Sequence, residues 1–271
     1  MRVLSYNIHK GFSLFNTRFI LKSIRDNIRE VAPDLIFLQE VLGNHAGHAK
    51  RIKGWPQESQ LEYLAEKLWP HHAYGKNAVY SAGHHGNALL SKHEIRLWEN
   101  IDISNNRFER RGMLHAVIAS PECGRDLHLI CLHLDLFENG RERQVQRLIS
   151  RIEEAVPHDA PLIVAGDFND WKQRAGVVIE KELDLIEIHK QVHGHLARSF
   201  PSWWPFLPLD RMYCRRLLPV SARILSGQPW CDLSDHAAYV AELAMEPPVA
   251  PQKQEPPLTT RTHRRRSPQT P

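Results

Sequence analysis

Residues 162–170 read LIVAGDFND. Four apolar positions of the kind a buried strand needs run into Gly166, Asp167, Asn169 and Asp170. Two acids and an amide presented together at one strand end could serve an active site. Gly, Asp and Asn are equally the ordinary residues of a turn. The pattern recurs along the chain. SYNIHKG sets Asn7 and His9 at the end of a first apolar stretch, and LIFLQEV places Glu40 after five apolar or amide positions. LICLHLD ends in His133 and Asp135, PLDRMYC holds Asp210, and LSDHAAYV presents Asp235 and His236 before a last strand. Singly, each has a plain structural reading: Glu40 as a cap, His133 as a hydrogen-bonded core histidine, Asp235 as the close of a turn, Asp210 with His236 as a buried pair. Recurrence favours a site, because open sheets gather ligands at one end of their strands. Each buried acid or amide also needs a partner.

The elements that must hold these residues are legible from periodicity. Residues 2–8 read as a strand. Asn16 and Thr17 offer an N-cap for a helix carrying Ile20, Ile24 and Ile28, which Ala32-Pro33-Asp34 stops. Residues 35–39, LIFLQ, form a continuous apolar run, the mark of a strand covered on both faces. A second helix is expected over 58–69, with Leu61, Leu64, Ala65 and Leu68 on one face. Further helices are expected over 141–155 and 174–182. Strands are expected at 76–80, 87–90, 95–98, 113–118, 127–133, 162–165, 184–188, 210–214 and 237–243. Strands outnumber helices and both recur throughout, so a sheet-on-sheet core with helices outside fits better than a doubly wound sheet. One domain is expected over 1–245.

The chain has 271 residues, 42% hydrophobic and 24% charged, a composition of globular proteins with a real core. The net charge of +4 sits largely in the tail, 246–271, which is rich in proline and holds an HRRR cluster. That segment is expected to be disordered and solvated. The body is therefore near neutral, and the charge balance neither demands nor excludes nucleic acid. Cys123, Cys131, Cys214 and Cys231 show no C-x-x-C spacing and read as reduced thiols. No leader pattern opens the chain and no apolar run nears the ~20 residues of a membrane span. A cytoplasmic monomer is the expectation.

In order, Asn7, Gln39-Glu40, Gly86-Asn87, Arg111-Gly112, His133, Gly166-Asp167-Phe168-Asn169, Asp210 and Ser234-Asp235-His236 resemble the endonuclease/exonuclease/phosphatase superfamily. The match runs from residue 2 to about 243. SYNIHKGF, NAVYSAGHHGNALLS, GDFNDW and LDRMY look like a subgroup of small bacterial members. The resemblance implies a four-layer α/β sandwich, two mixed β-sheets packed face to face with helices outside, like deoxyribonuclease I. It implies Mg²⁺- or Mn²⁺-dependent hydrolysis of a phosphate ester. Carried over residue by residue, Glu40 is the principal metal ligand, with Asn7 and Asp235 near the metal or its waters. Asp167 orients and deprotonates the attacking water, Asn169 bonds the phosphoryl group, and His236, paired with Asp210, contacts a phosphate oxygen. His133 matches a second phosphate or leaving-group histidine, Asn87 lies on the substrate side, and Arg111 is preferred over Arg110 as the phosphate arginine. Arg143 and Gln146 match an R-x-x-Q of many relatives, which docking of a helix explains equally well.

An oxygen-only set of carboxylate, amide and water suits Mg²⁺. The paired histidines at 45/48, 71/72 and 84/85 tempt a zinc reading, but no cysteine stands near them. For substrate, nuclease-type action on nucleic acid is the first reading and a phospholipid headgroup the second. The second rests on SFPSWWPFLPLD, whose Trp203, Trp204 and Phe206 suit a membrane interface, the stacking of bases, or simple packing back on the sheet. A binding module without catalysis is the third class.

Overall fold

The computed structural model describes residues 1–14, 17–106, 109–119 and 125–246. From its N-terminus, β1 (Arg2–Asn7) passes through a 3-10 turn to α1 (Leu21–Val31) and β2 (Leu35–His45). Two short helices, α2 (Ala46–Arg51) and α3 (Gln60–Ala65), precede β3 (His71–Tyr80) and β4 (Gly83–Ser91). Then follow β5 (Ile95–Asp102), β6 (Gly112–Ala119), β7 (Asp126–His133), α4 (Glu138–Ala155), β8 (Leu162–Asp167) and α5 (Arg174–Leu183). The chain finishes with β9 (Ile186–Glu187), α6 (Ile188–His193), β10 (Asp210–Arg215), β11 (Leu217–Leu225) and β12 (Ala238–Met245).

The strands form two six-stranded sheets, ordered β11-β12-β1-β2-β4-β3 and β5-β6-β7-β8-β10-β9. Both are mixed, with β1–β2 and β7–β8 parallel among antiparallel neighbours. Strand alternation divides the apolar residues into three layers. Val3, Leu35, Phe37 and Leu89 from one sheet meet Leu129, Cys131, Ile163, Ala165 and Met212 from the other. On the outer face of the first sheet, Leu4, Tyr6 and Leu38 pack on Ile24 and Ile28 of α1 and Leu61 and Leu64 of α3. On the outer face of the second, Ile130, Leu132 and Val164 receive Val145, Leu148 and Ile152 of α4 and Ile179 of α5. The expected four-layer sandwich is present, and the continuous apolar runs are strands covered on both sides.

Several local expectations change. Asn16 lies outside the described residues, and Thr17 caps no helix: the N-cap position of α1 is Ile20, without a side-chain bond. Thr17 instead exchanges a 2.9 Å hydrogen bond with Ser13 in the preceding loop. The helix expected over 58–69 is only Gln60–Ala65, because a Ser59/Glu62 capping box starts it and Glu66 at φ 41° ends it. Leu68 is accordingly exposed, while Trp69 is buried and donates to the Pro33 carbonyl. The strand expected at 184–188 shrinks to two residues, since Ile188 opens α6. Strand β11 and helices α2 and α6 were not anticipated. From residue 247 the expected tail lies outside the described residues, as does Cys123.

Two predictions concern this framework. Gly166 has φ +149°, and a Cβ there would lie 2.0 Å from the Leu132 carbonyl oxygen of β7. Gly166→Ala is therefore expected to destabilise the fold by at least ~1–3 kcal/mol, read as a lowered thermal midpoint; an unchanged midpoint would refute it. The second lies between β6, β7 and α4. Arg151 Nε donates to His115 Nδ1 at 3.1 Å, so the proton of His115 sits on Nε2 and points to His128 Nδ1 at 3.0 Å. Both rings must stay neutral for this chain to exist. Burial, with Arg151 and His128 adding, pushes His115 down from 6.5 to about 4, and burial also lowers His128. A depressed folded value means stability present above pH ~6.5 and lost as pH falls toward ~4. The thermal midpoint should drop over that window, and His115→Gln should flatten the drop.

Candidate active site

The inner-facing series of six strands each end in a polar side chain. Val3 and Ser5 lead to Asn7, Leu35 and Phe37 to Gln39, Leu89 back to Asn87, Leu129 and Cys131 to His133, Ile163 and Ala165 to Asp167, and Cys214 and Met212 back to Asp210. Strand register places these ends level: Asn7 pairs with Gln39, His133 with Asp167, and Asp167 with Asp210. One mouth of the sandwich thus collects the residues that sequence had spread over more than 200 positions.

Asp167 is the node. Its Oδ2 accepts from Asn7 Nδ2 at 3.2 Å, a bond that crosses between the sheets, and Oδ1 accepts from the Asn169 backbone N–H at 3.0 Å. His133 Nε2 and His236 Nε2 stand 3.5 and 3.6 Å from Oδ2. Burial pushes Asp167 up, to about 7, against the opposing charge of His236. His236 Nδ1 meets Asp210 Oδ2 at 2.8 Å, and Ser199 Oγ donates to the same oxygen. Burial works against a charged His236, but Asp210 and Asp167 outweigh it and raise it to about 10. An imidazolium with one N–H on Asp210 turns the other, on Nε2, toward Asp167. His133 goes the opposite way: burial, with Arg111 nearby, holds it well below the usual range, so it is neutral.

Glu40 occupies a different wall. The register of β2 against β4 shifts between Leu38 and Val41, and Glu40 has φ 56° within that irregularity. Such a bulge re-aims a side chain that regular alternation would send elsewhere. Burial disfavours its ionised form, yet the positive potential of His133, Lys10, His236 and His9 outweighs this and holds Glu40 at about 2. With His133 neutral near pH 7, Lys10 and His236 carry that balance. Lys10 Nζ lies 3.2 Å from Glu40 Oε2, and that oxygen, though buried, has no hydrogen-bond partner. Asp235 Oδ1 takes a 3.2 Å bond from Ser234 Oγ and lies 3.6 Å from His9 Nδ1.

The remaining expected residues are placed as follows. Asn169, φ 50°, donates from Nδ2 to the Leu134 carbonyl at 3.0 Å, and Arg111 Nε donates to that same oxygen at 3.2 Å. Arg111, bonded also to Glu109, thus stands at the site, whereas Arg110 is exposed and pairs with Asp102. Asn87 donates to the carbonyls of Gly112 and Cys131, tying the sheets together beside the mouth. Phe168 turns into the core against Tyr213. Asp170 accepts from the N–H groups of Arg174 and Gly176, so it caps the start of α5 and is no member of the site. The R-x-x-Q reading moves by two: Arg143 and Gln146 are exposed, while Arg141 and Gln144 are buried and bond the Asp135–Leu136 and Ile103 backbone. They dock α4. Trp203, Trp204 and Phe206 do not pack back on the sheet; they are 59%, 68% and 53% exposed. Their loop is joined to the site, since Ser202 N–H donates to the Asp235 carbonyl.

Lys10, His85 and Ser199 were missed. Lys10 gives no periodicity signal, lying in a loop before a glycine; His85 was singled out with His84 only as one of two histidines before GNALL that could reach substrate; Ser199 sat in a stretch read for its tryptophans. Asp167, Asp210 and His236 have ligand atoms within 4.8 Å of one another and so can hold a metal. A cation held there by the His236 ring would displace one of the two protons of its imidazolium. Among the described residues, neither the 45/48 nor the 84/85 histidines belong to such a group.

No helix of the described residues is long and apolar enough to cross a membrane. The chain is 44% identical over 242 residues to an Escherichia coli (strain K12) protein called uncharacterized protein YbhP, covering 89% of this chain and 95% of that one. Its fold is similar to that of Danio rerio TDP2 solved with a single-strand DNA product, with TM-score 0.68, 18% identity and 90% and 99% of the two chains covered. It is similar also to the mannosyl-6-phosphatase Bt3783 of Bacteroides thetaiotaomicron, with TM-score 0.68, 15% identity and 90% and 100% covered. The sequence profile of the Endonuclease/Exonuclease/phosphatase family matches residues 4–236, and the chain belongs to that family.

Proposed function

We propose that the protein is a divalent-metal-dependent phosphodiesterase of nuclease type, cleaving its substrate by in-line attack of water. The observation that carries this is the buried Asp167 carboxylate, held from both sheets by Asn7 and Asn169 and flanked by a charged and a neutral histidine. Asp167 takes a proton from water as the oxygen attacks phosphorus and the ester P–O bond breaks. Asn169 and Arg111, gathered on the Leu134 carbonyl, face the phosphoryl oxygens. His236, kept cationic by Asp210, places an N–H where negative charge accumulates. His133, being neutral, can give or take one hydrogen bond at the leaving side without adding charge.

The residues fit a Mg²⁺ or Mn²⁺ ion on Glu40, with Asn7 and Asp235 nearby. Glu40 Oε2 is buried, ionised and without a hydrogen bond, and the three offer oxygen donors only. When bound, such an ion stabilises negative charge on the phosphoryl or leaving oxygen. A nucleic-acid substrate is supported by the single-strand DNA product in the D. rerio relative, and the sugar phosphatase of the same fold marks how widely this scaffold's substrates range. A lipid headgroup rests on the exposed Trp203–Trp204–Phe206 loop alone and is not carried forward.

Asp167→Asn keeps the shape and removes the base, so hydrolysis of bis-p-nitrophenyl phosphate should fall by ~10²–10⁴. His236→Ala should lose ~10²–10³. Both variants should remain folded by circular dichroism, and EDTA should abolish wild-type activity until Mg²⁺ or Mn²⁺ is restored. Full activity in either variant, or in EDTA, would exclude this mechanism.

A further inference from the structure

The turn from β1 into α1 is built with more constraint than a connection needs. His9, Lys10 and Gly11 are consecutive residues at φ 45°, 57° and 80°. Two of the three are not glycine, and such backbone persists only where surrounding structure over-determines it. The determinant here is Gln60, 1% exposed, whose Nε2 donates to the Lys10 carbonyl at 2.7 Å. Its Oε1 accepts from the Leu42 N–H at 2.9 Å. Leu42 lies two residues beyond Glu40 on β2. One buried amide thus fixes the Lys10 backbone against the strand that carries Glu40.

The outcome is the 3.2 Å approach of Lys10 Nζ to Glu40 Oε2. An ordinary surface ion pair contributes little and needs no such scaffold. This pair is unequal. The glutamate oxygen is buried, and the contact meets no hydrogen-bond geometry, so charge alone holds it. The lysine side chain is 38% exposed and leaves by a flexible stem. The other cations of the mouth are committed elsewhere: Arg111 to Glu109, His236 to Asp210.

We propose that Lys10 is a tethered cation that neutralises Glu40 until a divalent ion takes its place, and that the displaced ammonium then binds the substrate phosphate. The inference rests on the reading of Glu40 as the divalent-cation ligand. A carboxylate in this setting needs a counter-charge whether or not an ion is bound. Once a divalent ion holds Glu40, like charges drive Nζ off, and its stem keeps it at the same mouth. The incoming phosphate, which must approach that ion, is the nearest anion to receive it. Lysine suits this task because its ammonium is a compact point charge on a four-carbon swing. Lys10 would then make metal binding weaker and phosphate binding stronger.

Isothermal titration with Mg²⁺ on the metal-free protein tests the first half, comparing wild type with Lys10→Met and Lys10→Arg. Lys10→Met is expected to bind Mg²⁺ more tightly, on the order of 10-fold, and Lys10→Arg to stay near wild type. Titration with inorganic phosphate at saturating Mg²⁺ tests the second half. Lys10→Met should bind it several-fold more weakly, with KM for bis-p-nitrophenyl phosphate raised more than kcat is lowered, and Lys10→Arg should recover most of both. If Lys10→Met does not fold by circular dichroism, Lys10→Gln takes its place. Equal Mg²⁺ affinity in wild type and Lys10→Met, with hydrolysis still Mg²⁺-dependent, would overturn the inference and leave the phosphodiesterase reading intact. So would a Lys10→Met phosphate affinity equal to wild type. A wild type that neither binds Mg²⁺ nor hydrolyses the ester would overturn both.

Discussion

The hydrogen bond from Asn7 to Asp167 joins the ends of two sheets whose facing surfaces are mostly apolar. Everything at the mouth depends on it. A buried carboxylate without partners would be expelled or protonated, and a strand end with nothing to bind would fray. Here the inner faces run through one to three apolar positions, with Ser5 of β1 the exception, and then turn polar together, so that the ends satisfy each other. Gln39 against Cys131, and Asn87 against the Gly112 and Cys131 carbonyls, repeat the arrangement beside it. Sandwich closure and site formation are therefore one event.

Charge at the mouth is largely paired. Asp210 has His236, Glu40 has Lys10 and Glu109 has Arg111, while Asp235 Oδ1 lies 3.6 Å from His9 Nδ1. The low dielectric that makes an unpaired buried charge expensive also strengthens each paired one. It separates two histidines of nearly equal burial into opposite states. His236 is driven up to about 10 by two aspartates against its burial, whereas burial, with Arg111 adding, drives His133 down. Burial alone would lower both; the aspartates reverse it for His236.

This balance explains what was legible in sequence and what was not. The side chains gathered at the mouth, Asn7, His133, Asp167 and Asp210, continue the inner-facing parity of apolar runs, so each appears as a polar residue at the end of an oily stretch. The layers were legible for the same reason. Elements without such a run were lost: β11, with Pro219 and Ser221 in a register shift, and α2, only six residues long. Helix boundaries failed where a capping box or a left-handed residue overrode periodicity, as at Ser59 and Glu66. The arginine–glutamine pair was misread by two positions because R-E-R-Q-V-Q offers two equally spaced matches, and only burial on α4 separates them. Lys10 has no pattern of its own; its role depends on Gln60, fifty residues away.

Left-handed backbone marks the points where parity could not deliver a side chain. Glu40 at φ 56° lies one residue past the inner-facing Gln39, and Asn169 at φ 50° lies two past Asp167. Continued extension would send Glu40 to the helix-covered face. Each such residue costs about 1–3 kcal/mol, against a net stability of about 5–15 kcal/mol for a whole domain. The fold can bear several only because the strands beneath are fully buried and paired. Asn169 lies just past the end of β8, and Glu40 lies at the register shift inside β2, where the ladder to β4 is already interrupted. Rigidity of the sheets is thus what permits irregularity at their ends, and the irregularity is what brings carboxylate, amide and imidazole from different strands to a single centre.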